Sequence, residues 1–184
     1  MSILVLLLAY LLGSFSPSHL VADKWFKKDL KRVGSGNLGA LNTLRSFGFK
    51  AGFVVFVLDV AKGALAVYLA VFCQVHPLWG MVGVVAGHNF SIALKFEGGK
   101  GLAAALGSLL VTDVRYAGIL ILIGLLLLLT TRKLYLAAVV MVSFLPFVIL
   151  YFDPTPLSVA LGLAVSFLII LKHRPNFAKK IVKP

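Results

Sequence analysis

Residues 102–111 read LAAALGSLLV, a short uncharged run bounded by Lys100 on one side and Asp113 on the other. Whether this run crosses a membrane decides the fold. A helix through the hydrocarbon core needs about 20 residues, within a range of roughly 17 to 25, so length alone argues against it. Six other apolar runs lie near that range: Ser2 to about Val21, Ala51 to Val75, Leu78 to Leu94, Tyr116 to Thr131, Leu134 to Phe152 and Leu157 to Leu171. The basic residues between them decide. If 102–111 crosses and the N-terminus is outside, every loop and tail Lys or Arg falls inside except Arg115, with Lys62 inside a helix. If it does not cross, Arg132, Lys133 and the basic tail move outside. Cytoplasmic loops are enriched in Lys and Arg. The expected fold is therefore all-α and polytopic, with seven transmembrane helices, the fourth short, the N-terminus outside and the C-terminus cytoplasmic.

Composition agrees. Of 184 residues, 60% are apolar and only 13% charged, with a mean hydropathy of +1.02. A soluble domain is about half apolar and a quarter charged, so a soluble enzyme, a disordered tail and a disulfide scaffold are excluded together. The net charge of +12 belongs to the cytoplasmic loops and calls for no nucleic acid. A single cysteine, Cys73, excludes an internal disulfide and a cysteine metal site. The few carboxylates are scattered, and neither a metal nor a cofactor is expected. The first run lacks a basic n-region and a small-residue cleavage site, and reads as a helix rather than a cleavable signal. Asp153-Pro154-Thr155-Pro156 separates the last two helices, because proline lacks the amide hydrogen and disfavours helix before it. No repeat or linker divides the chain, so 1–184 reads as one membrane-embedded domain. The sequence does not fix the oligomeric state, and a monomer is compatible with it.

Three segments on the cytoplasmic side could carry chemistry. The first is GSGNLGALNTLR, Gly34 to Arg45. Its Gly34-x-Gly36-x-x-Gly39 spacing is that of a dinucleotide loop, but no βαβ unit surrounds it. Glycines do let backbone amides approach an anion. Ser35, Asn37, Asn42 and Thr43 add neutral donors, and Arg45 adds a planar fork suited to phosphate. A tight connector between two helices accounts for the glycines about equally well.

The second is GHNFSIALKFEGGKGLAAALG, Gly87 to Gly107. Gly98-Gly99-Lys100-Gly101 lacks the Ser or Thr that ends a phosphate loop. It does precede the short helix, whose free amides and positive dipole end suit an anion beside Lys100. Gly83 and Gly87 read as a small-residue packing pair. His88 and Asn89 lie near the inner end of the third helix. The third segment is Lys172-His173-Arg174-Pro175-Asn176, leaving the last helix; its basic residues are ordinary anchors, while His173 and Asn176 share a face if the helix continues. Asp59 and Lys62 also lie on one face, within the second helix and about 12 Å into it from Ala51. Charges there are costly and mark either a functional site or a self-neutralising pair.

Together these residues resemble the acyl-phosphate:glycerol-3-phosphate acyltransferase family (PlsY). GSGNLGALNTLR is similar to the family's GSGNxGAxNxxR, Asp59-Val60-Ala61-Lys62-Gly63 to its D-x-x-K-G, and the other two segments to its second and third motifs. Leu41 stands where threonine is common, Ser91 where proline is common and Glu97 where lysine is usual. The tail, ending Ile181-Val182-Lys183-Pro184, lacks a glutamate that many members carry.

The resemblance implies acyl transfer from acyl phosphate to the 1-hydroxyl of glycerol 3-phosphate, giving 1-acylglycerol 3-phosphate and phosphate, at the cytoplasmic side of the bacterial inner membrane. It implies that Ser35, Arg45 and Lys100 act catalytically. Gly34, Gly36, Asn37, Gly39, Asn42, His88, Gly98, Gly99, Gly101, His173 and Asn176 would bind the two phosphate substrates. Membrane lipids surround the chain. The His-x4-Asp pair of glycerolipid acyltransferases with soluble donors is missing, since Lys24, Met81, Ala93 and Ala178 follow the four histidines at that spacing. With no evident protein base, a substrate phosphate is expected to take the hydroxyl proton. The competing expectation is a transporter of an organic phosphate, which Asp59, Lys62 and the short helix would suit.

Overall fold

The computed structural model describes residues 1–181, with side chains described as far as Arg174. The side chain of Asn176 and the tail residues Val182, Lys183 and Pro184 lie outside the described part. Among the described residues all regular structure is helical: α1 (Ser2–Ser14), α2 (Pro17–Phe26), α3 (Ala40–Phe47), α4 (Phe49–Phe72), α5 (Pro77–Asn89), α6 (Leu102–Thr112), α7 (Val114–Thr131), α8 (Leu134–Ser143), α9 (Leu145–Phe152) and α10 (Pro156–Ile181), with 3-10 turns at Leu30–Arg32 and Ile92–Leu94. Six stretches are long and apolar enough to span a bilayer: Ser2–Phe26, Phe49–Phe72, Pro77–Leu94, Val114–Thr131, Leu134–Phe152 and Pro156–Arg174.

Two of the expected continuous helices are broken. The first run stops at Ser14, and a new helix starts with Ser16 as its cap and Pro17 in its first turn. The Ser16 hydroxyl accepts from the His19 amide at 3.4 Å, the usual cap chemistry, and proline at the first helical position needs no hydrogen-bond acceptor. The run 134–152 breaks at Phe144, with Pro146 in the first turn of α9. In contrast, α10 passes through Pro175 to Ile181, so the third motif lies within a helix instead of leaving one.

Helices α1, α4, α5 and α6 pack through small residues until their backbones nearly touch. A Cβ on Gly63 would overlap the Ala104 carbonyl, and one on Gly107 the Val60 carbonyl, locking α4 to α6. Gly80 meets Ala66 in the same way, while Gly13, Gly83 and Gly87 seat α1 on α5. The packing expected of Gly83 and Gly87 is thus observed. Ser108 adds a hydrogen bond from its hydroxyl to the Gly63 carbonyl at 3.1 Å. Close approach through small residues is how helices associate in lipid, where tails are as apolar as leucine. Ala66, Val67, Met81, Val84 and Val85 form the middle of the core, joined by Leu145, Ile149, Val165 and Ile169 from the later helices.

The two ends of the bundle differ. At one end Arg115 lies over the Phe152 ring at 4.3 Å, and Asp153 accepts from Ser158 and faces His76 Nε2 at 3.3 Å. At the other, Lys172 lies over Phe90 at 4.4 Å and Lys31 meets Glu97. The short α6 begins at the second end, where Gly101 abuts Asn89, and finishes at Asp113, two residues from Arg115 at the first.

Candidate active site

The first glycine segment is organised by Asn42. Its side chain, on α3, is buried, and its Oδ1 accepts from the Ser35 amide at 2.9 Å. Its Nδ2 donates to the carbonyls of Val33 at 3.0 Å and Leu30 at 3.5 Å. Gly36 has φ +74°, a conformation glycine adopts without strain, and its amide donates to the Val33 carbonyl at 3.1 Å. Thr43, also buried, donates to the Gly39 carbonyl at 3.1 Å. Asn42 and Thr43 are therefore spent on shaping the loop. Ser35 stays at the surface, accepting only weakly from the Asn37 amide at 3.4 Å. Arg45 is exposed and makes no ion pair among the described residues.

The second segment folds back on the end of α5. The Gly99 amide donates to the His88 carbonyl at 3.0 Å. Side chains are excluded here: a Cβ on Gly98 would overlap the His88 carbonyl, and one on Gly99 would overlap His88 Nε2 and the Leu38 carbonyl. Gly101, at φ +81°, caps α6 without a side chain, leaving the first amides of that helix for another acceptor. Asn89 Nδ2 donates to the Leu168 carbonyl at 2.8 Å, tying α5 to α10.

Under this loop lies a buried charged group. Asp59 Oδ1 is 2.9 Å from Lys62 Nζ and 3.3 Å from His88 Nδ1. Lys62 also donates to the carbonyls of Gly13 at 3.1 Å and Phe15 at 2.8 Å, where α1 ends. Lys62 thus makes two hydrogen bonds to carbonyls beside its ion pair with Asp59. Leaving one buried charge of such a group unpaired would be strongly destabilising.

The third segment joins from α10. His173 is buried, with Nδ1 2.8 Å from the Ile169 carbonyl; as donor to that carbonyl, it leaves Nε2 for another partner. Its neighbour Lys172 lies over the Phe90 ring at 4.4 Å, which brings this end of α10 to the end of α5. Glu97 is held below the usual carboxylate range by its hydrogen bond from Lys31 and by that lysine's charge, with Lys172 adding to it.

Of the residues singled out in the sequence, Gly98 to Gly101, Lys100, His88 and His173 converge. The first segment reaches them through Leu38, which abuts Gly99, and through the Lys31–Glu97 pair at 2.5 Å. Among the described residues Arg45 makes no ion pair with this group. Sequence reasoning missed Lys31, Lys172 and the link between His88 and Asp59, since no periodicity connects residues so far apart along the chain.

A family model described as glycerol-3-phosphate acyltransferase matches residues 3–183. The chain belongs to that family. A glycerol-3-phosphate acyltransferase of Macrococcus caseolyticus is 37% identical over 97% of this chain and 92% of its own. Glycerol-3-phosphate acyltransferase 2 of Lactobacillus acidophilus is 38% identical over 94% of this chain and 83% of its own. Among solved structures, the glycerol 3-phosphate form of PlsY (YgiH), an integral membrane glycerol 3-phosphate acyltransferase, superposes with a TM-score of 0.89 at 30% identity, covering 98% of this chain and 92% of that one. The lysophosphatidic acid form of PlsY superposes with a TM-score of 0.84. The glycerol-3-phosphate acyltransferase fold thus extends over the whole described bundle.

Proposed function

We propose that this glycerol-3-phosphate acyltransferase takes a fatty acyl group from acyl phosphate and passes it to the 1-hydroxyl of glycerol 3-phosphate, giving lysophosphatidic acid and inorganic phosphate. The observation that carries this reading is the convergence of a side-chain-free glycine turn, Lys100 and His173 at one end of an apolar bundle. Both substrates are phosphates, and one brings a long apolar chain. An apolar groove of about 360 Å³ between α1, α5 and α10 is lined by Leu6, Tyr10, Val82, Ala86, Phe167 and Leu168. Tyr10 donates to the Phe90 carbonyl at 2.6 Å, beside the glycine loop, so an acyl chain in this groove has its head at the site.

Seven crossings, with the N-terminus outside and the site facing the cytoplasm, account for the remaining facts. The path of α6 from Gly101 to Asp113 supports a fourth crossing, and the distribution of Lys and Arg supports the orientation. At 1.5 Å per residue α6 spans about 16 Å, against about 30 Å of hydrocarbon. Its glycine start is thus recessed below the cytoplasmic surface, where water is scarce and hydrogen bonds to developing charge are strong. The membrane is the bacterial cell membrane, and 1–184 acts as one domain.

Within the recess Lys100 and the amides of Gly98 and Gly101 hold phosphate, and Arg45 and Ser35 close over it from the first loop. His173 and Asn176 hold glycerol phosphate. The glycerol oxygen attacks the acyl carbon, the bond from that carbon to the phosphate oxygen breaks, and the hydroxyl proton passes to a phosphate oxygen. The protein contributes positioning and electrostatics. The transporter reading loses its main support, since Lys62 is engaged by Asp59, Gly13 and Phe15. The donor is tested by offering purified protein palmitoyl phosphate or a palmitoyl thioester with glycerol 3-phosphate. Lysophosphatidic acid should form from the first alone; formation from the thioester alone would refute the assigned donor.

A further inference from the structure

Asp59 does more than neutralise Lys62. A lysine one turn away needs only a nearby negative charge, yet the same Asp59 oxygen that meets Lys62 lies 3.3 Å from Nδ1 of His88, on a different helix. His88 is buried, and its other ring nitrogen, Nε2, faces Gly99 so closely that any side chain there would overlap it. The contact is an ion-pair approach rather than an aligned hydrogen bond, and Asp59 Oδ1 is a buried oxygen with no other hydrogen-bond partner among the described residues. A ring lone pair facing that carboxylate would be repelled, so Nδ1 carries the ring hydrogen. The Lys62 clamp on Gly13 and Phe15 fixes the carboxylate in turn.

We infer that Asp59 is a positioning residue for His88, holding the ring with Nδ1–H inward and Nε2 turned to the glycine loop, where it meets a phosphate substrate. This inference rests on the phosphate-binding reading of that loop. A partner behind a histidine sets which nitrogen serves the ligand and how the ring is aimed. Here it presents one fixed nitrogen beside the backbone amides of Gly98 to Gly101. In its neutral form Nε2 accepts from a protonated phosphate oxygen; with a second proton it donates to an anionic one.

The test combines ring spectroscopy with a mutant cycle. In protein labelled with 15N-histidine, the resonance lost in His88→Gln identifies the ring, and it should report a protonated Nδ1. Asp59→Asn with Lys62→Met removes both charges together, so that no buried lysine is stranded. That double variant should show His88 shared between tautomers and a kcat/KM about 10-fold or more below the parent, the size of a lost charge-assisted hydrogen bond. Adding His88→Gln to it should then cost little beyond His88→Gln alone, because Asp59 acts through that ring. Independent, multiplying losses, or a parent His88 protonated only on Nε2, would overturn the assignment. If the double variant does not fold, the parent spectrum decides by itself. A parent with the expected tautomer but no turnover of palmitoyl phosphate would refute the proposed reaction and leave the His88 geometry standing.

Discussion

The Lys31 ammonium and the Glu97 carboxylate meet at 2.5 Å, tying the turn before the first glycine segment to the loop before α6. Both residues are off the membrane-length helices, and Glu97 is well exposed. The value of such a pair lies in aligning two loops rather than in global stability.

A pH dependence follows from it. The Glu97 carboxyl sits below its ordinary value because Lys31 donates to it. Its contribution is complete above the ordinary glutamate value and disappears as pH falls through the depressed one. At neutral pH, Glu97→Gln should exchange amide hydrogens in residues 29–33 and 96–100 faster than the parent, and the parent should approach it in acid. Equal exchange at neutral pH would show that the pair aligns nothing.

Arg45 and Lys100 should fail separately. Lysine does not reproduce a bidentate contact, so Arg45→Lys should lose activity while folding normally, and Lys100→Ala should lose it too. Charge-assisted hydrogen bonds worth roughly 1.5 to 3 kcal/mol correspond to about 10- to 150-fold in rate when made in the transition state. Steady-state kinetics in detergent measure this. Near-parental turnover would leave Arg45, exposed as it is, a headgroup anchor.

Two glycine substitutions should have opposite outcomes. Gly99→Ala drives a methyl into His88 Nε2 and the Leu38 carbonyl; overpacking of this kind costs about 1 to 3 kcal/mol, and the shifted loop should also lose activity. Gly118→Ala, on α7, meets nothing within 4 Å and gains up to about 1 kcal/mol of helix propensity. Thermal unfolding and turnover of the two variants give the comparison. An active, stable Gly99→Ala protein would refute the close packing of the loop on His88.

The proton acceptor can be tested with the histidines. If His88 or His173 were the general base, its replacement by Gln should cost about 10²- to 10⁴-fold. If a substrate phosphate takes the proton, each variant should keep measurable turnover and the parent's pH profile. One His→Gln change that abolishes turnover, retains glycerol 3-phosphate binding and flattens the pH dependence would refute the substrate-assisted mechanism.

Topology has a native reporter. Cys73 ends α4, at the outer end in the proposed orientation. In intact cells it should react with an impermeant thiol reagent more readily than Lys28→Cys or Lys133→Cys in a Cys73→Ala background. Reaction at position 133 comparable with Cys73 would favour a fourth segment that does not cross.

Much of the fold was readable because lipid imposes a coarse rule: long apolar runs mark the spans. The breaks were also encoded, in Ser16-Pro17 and in Pro146, but a hydropathy window averages across them. The site was readable as residue types and not as partners. Asn42 sits in a motif rich in donors, and only the folded loop reveals that its amide serves Leu30, Val33 and Ser35. Asp59 and Lys62 announced themselves as charges one turn apart; His88 could not be joined to them from sequence, because α5 meets α4 through tertiary packing alone. Pro175 suggested a helix end that α10 passes, since a helix tolerates one missing amide bond.

The most direct test of the central claim is phosphate release from palmitoyl phosphate by the purified protein in detergent, with and without glycerol 3-phosphate. Acyl transfer to glycerol 3-phosphate predicts release only when that acceptor is present, matched mole for mole by 1-acylglycerol 3-phosphate. Release that ignores glycerol 3-phosphate, or none at all from folded protein that carries phosphate esters into sealed vesicles, would contradict it.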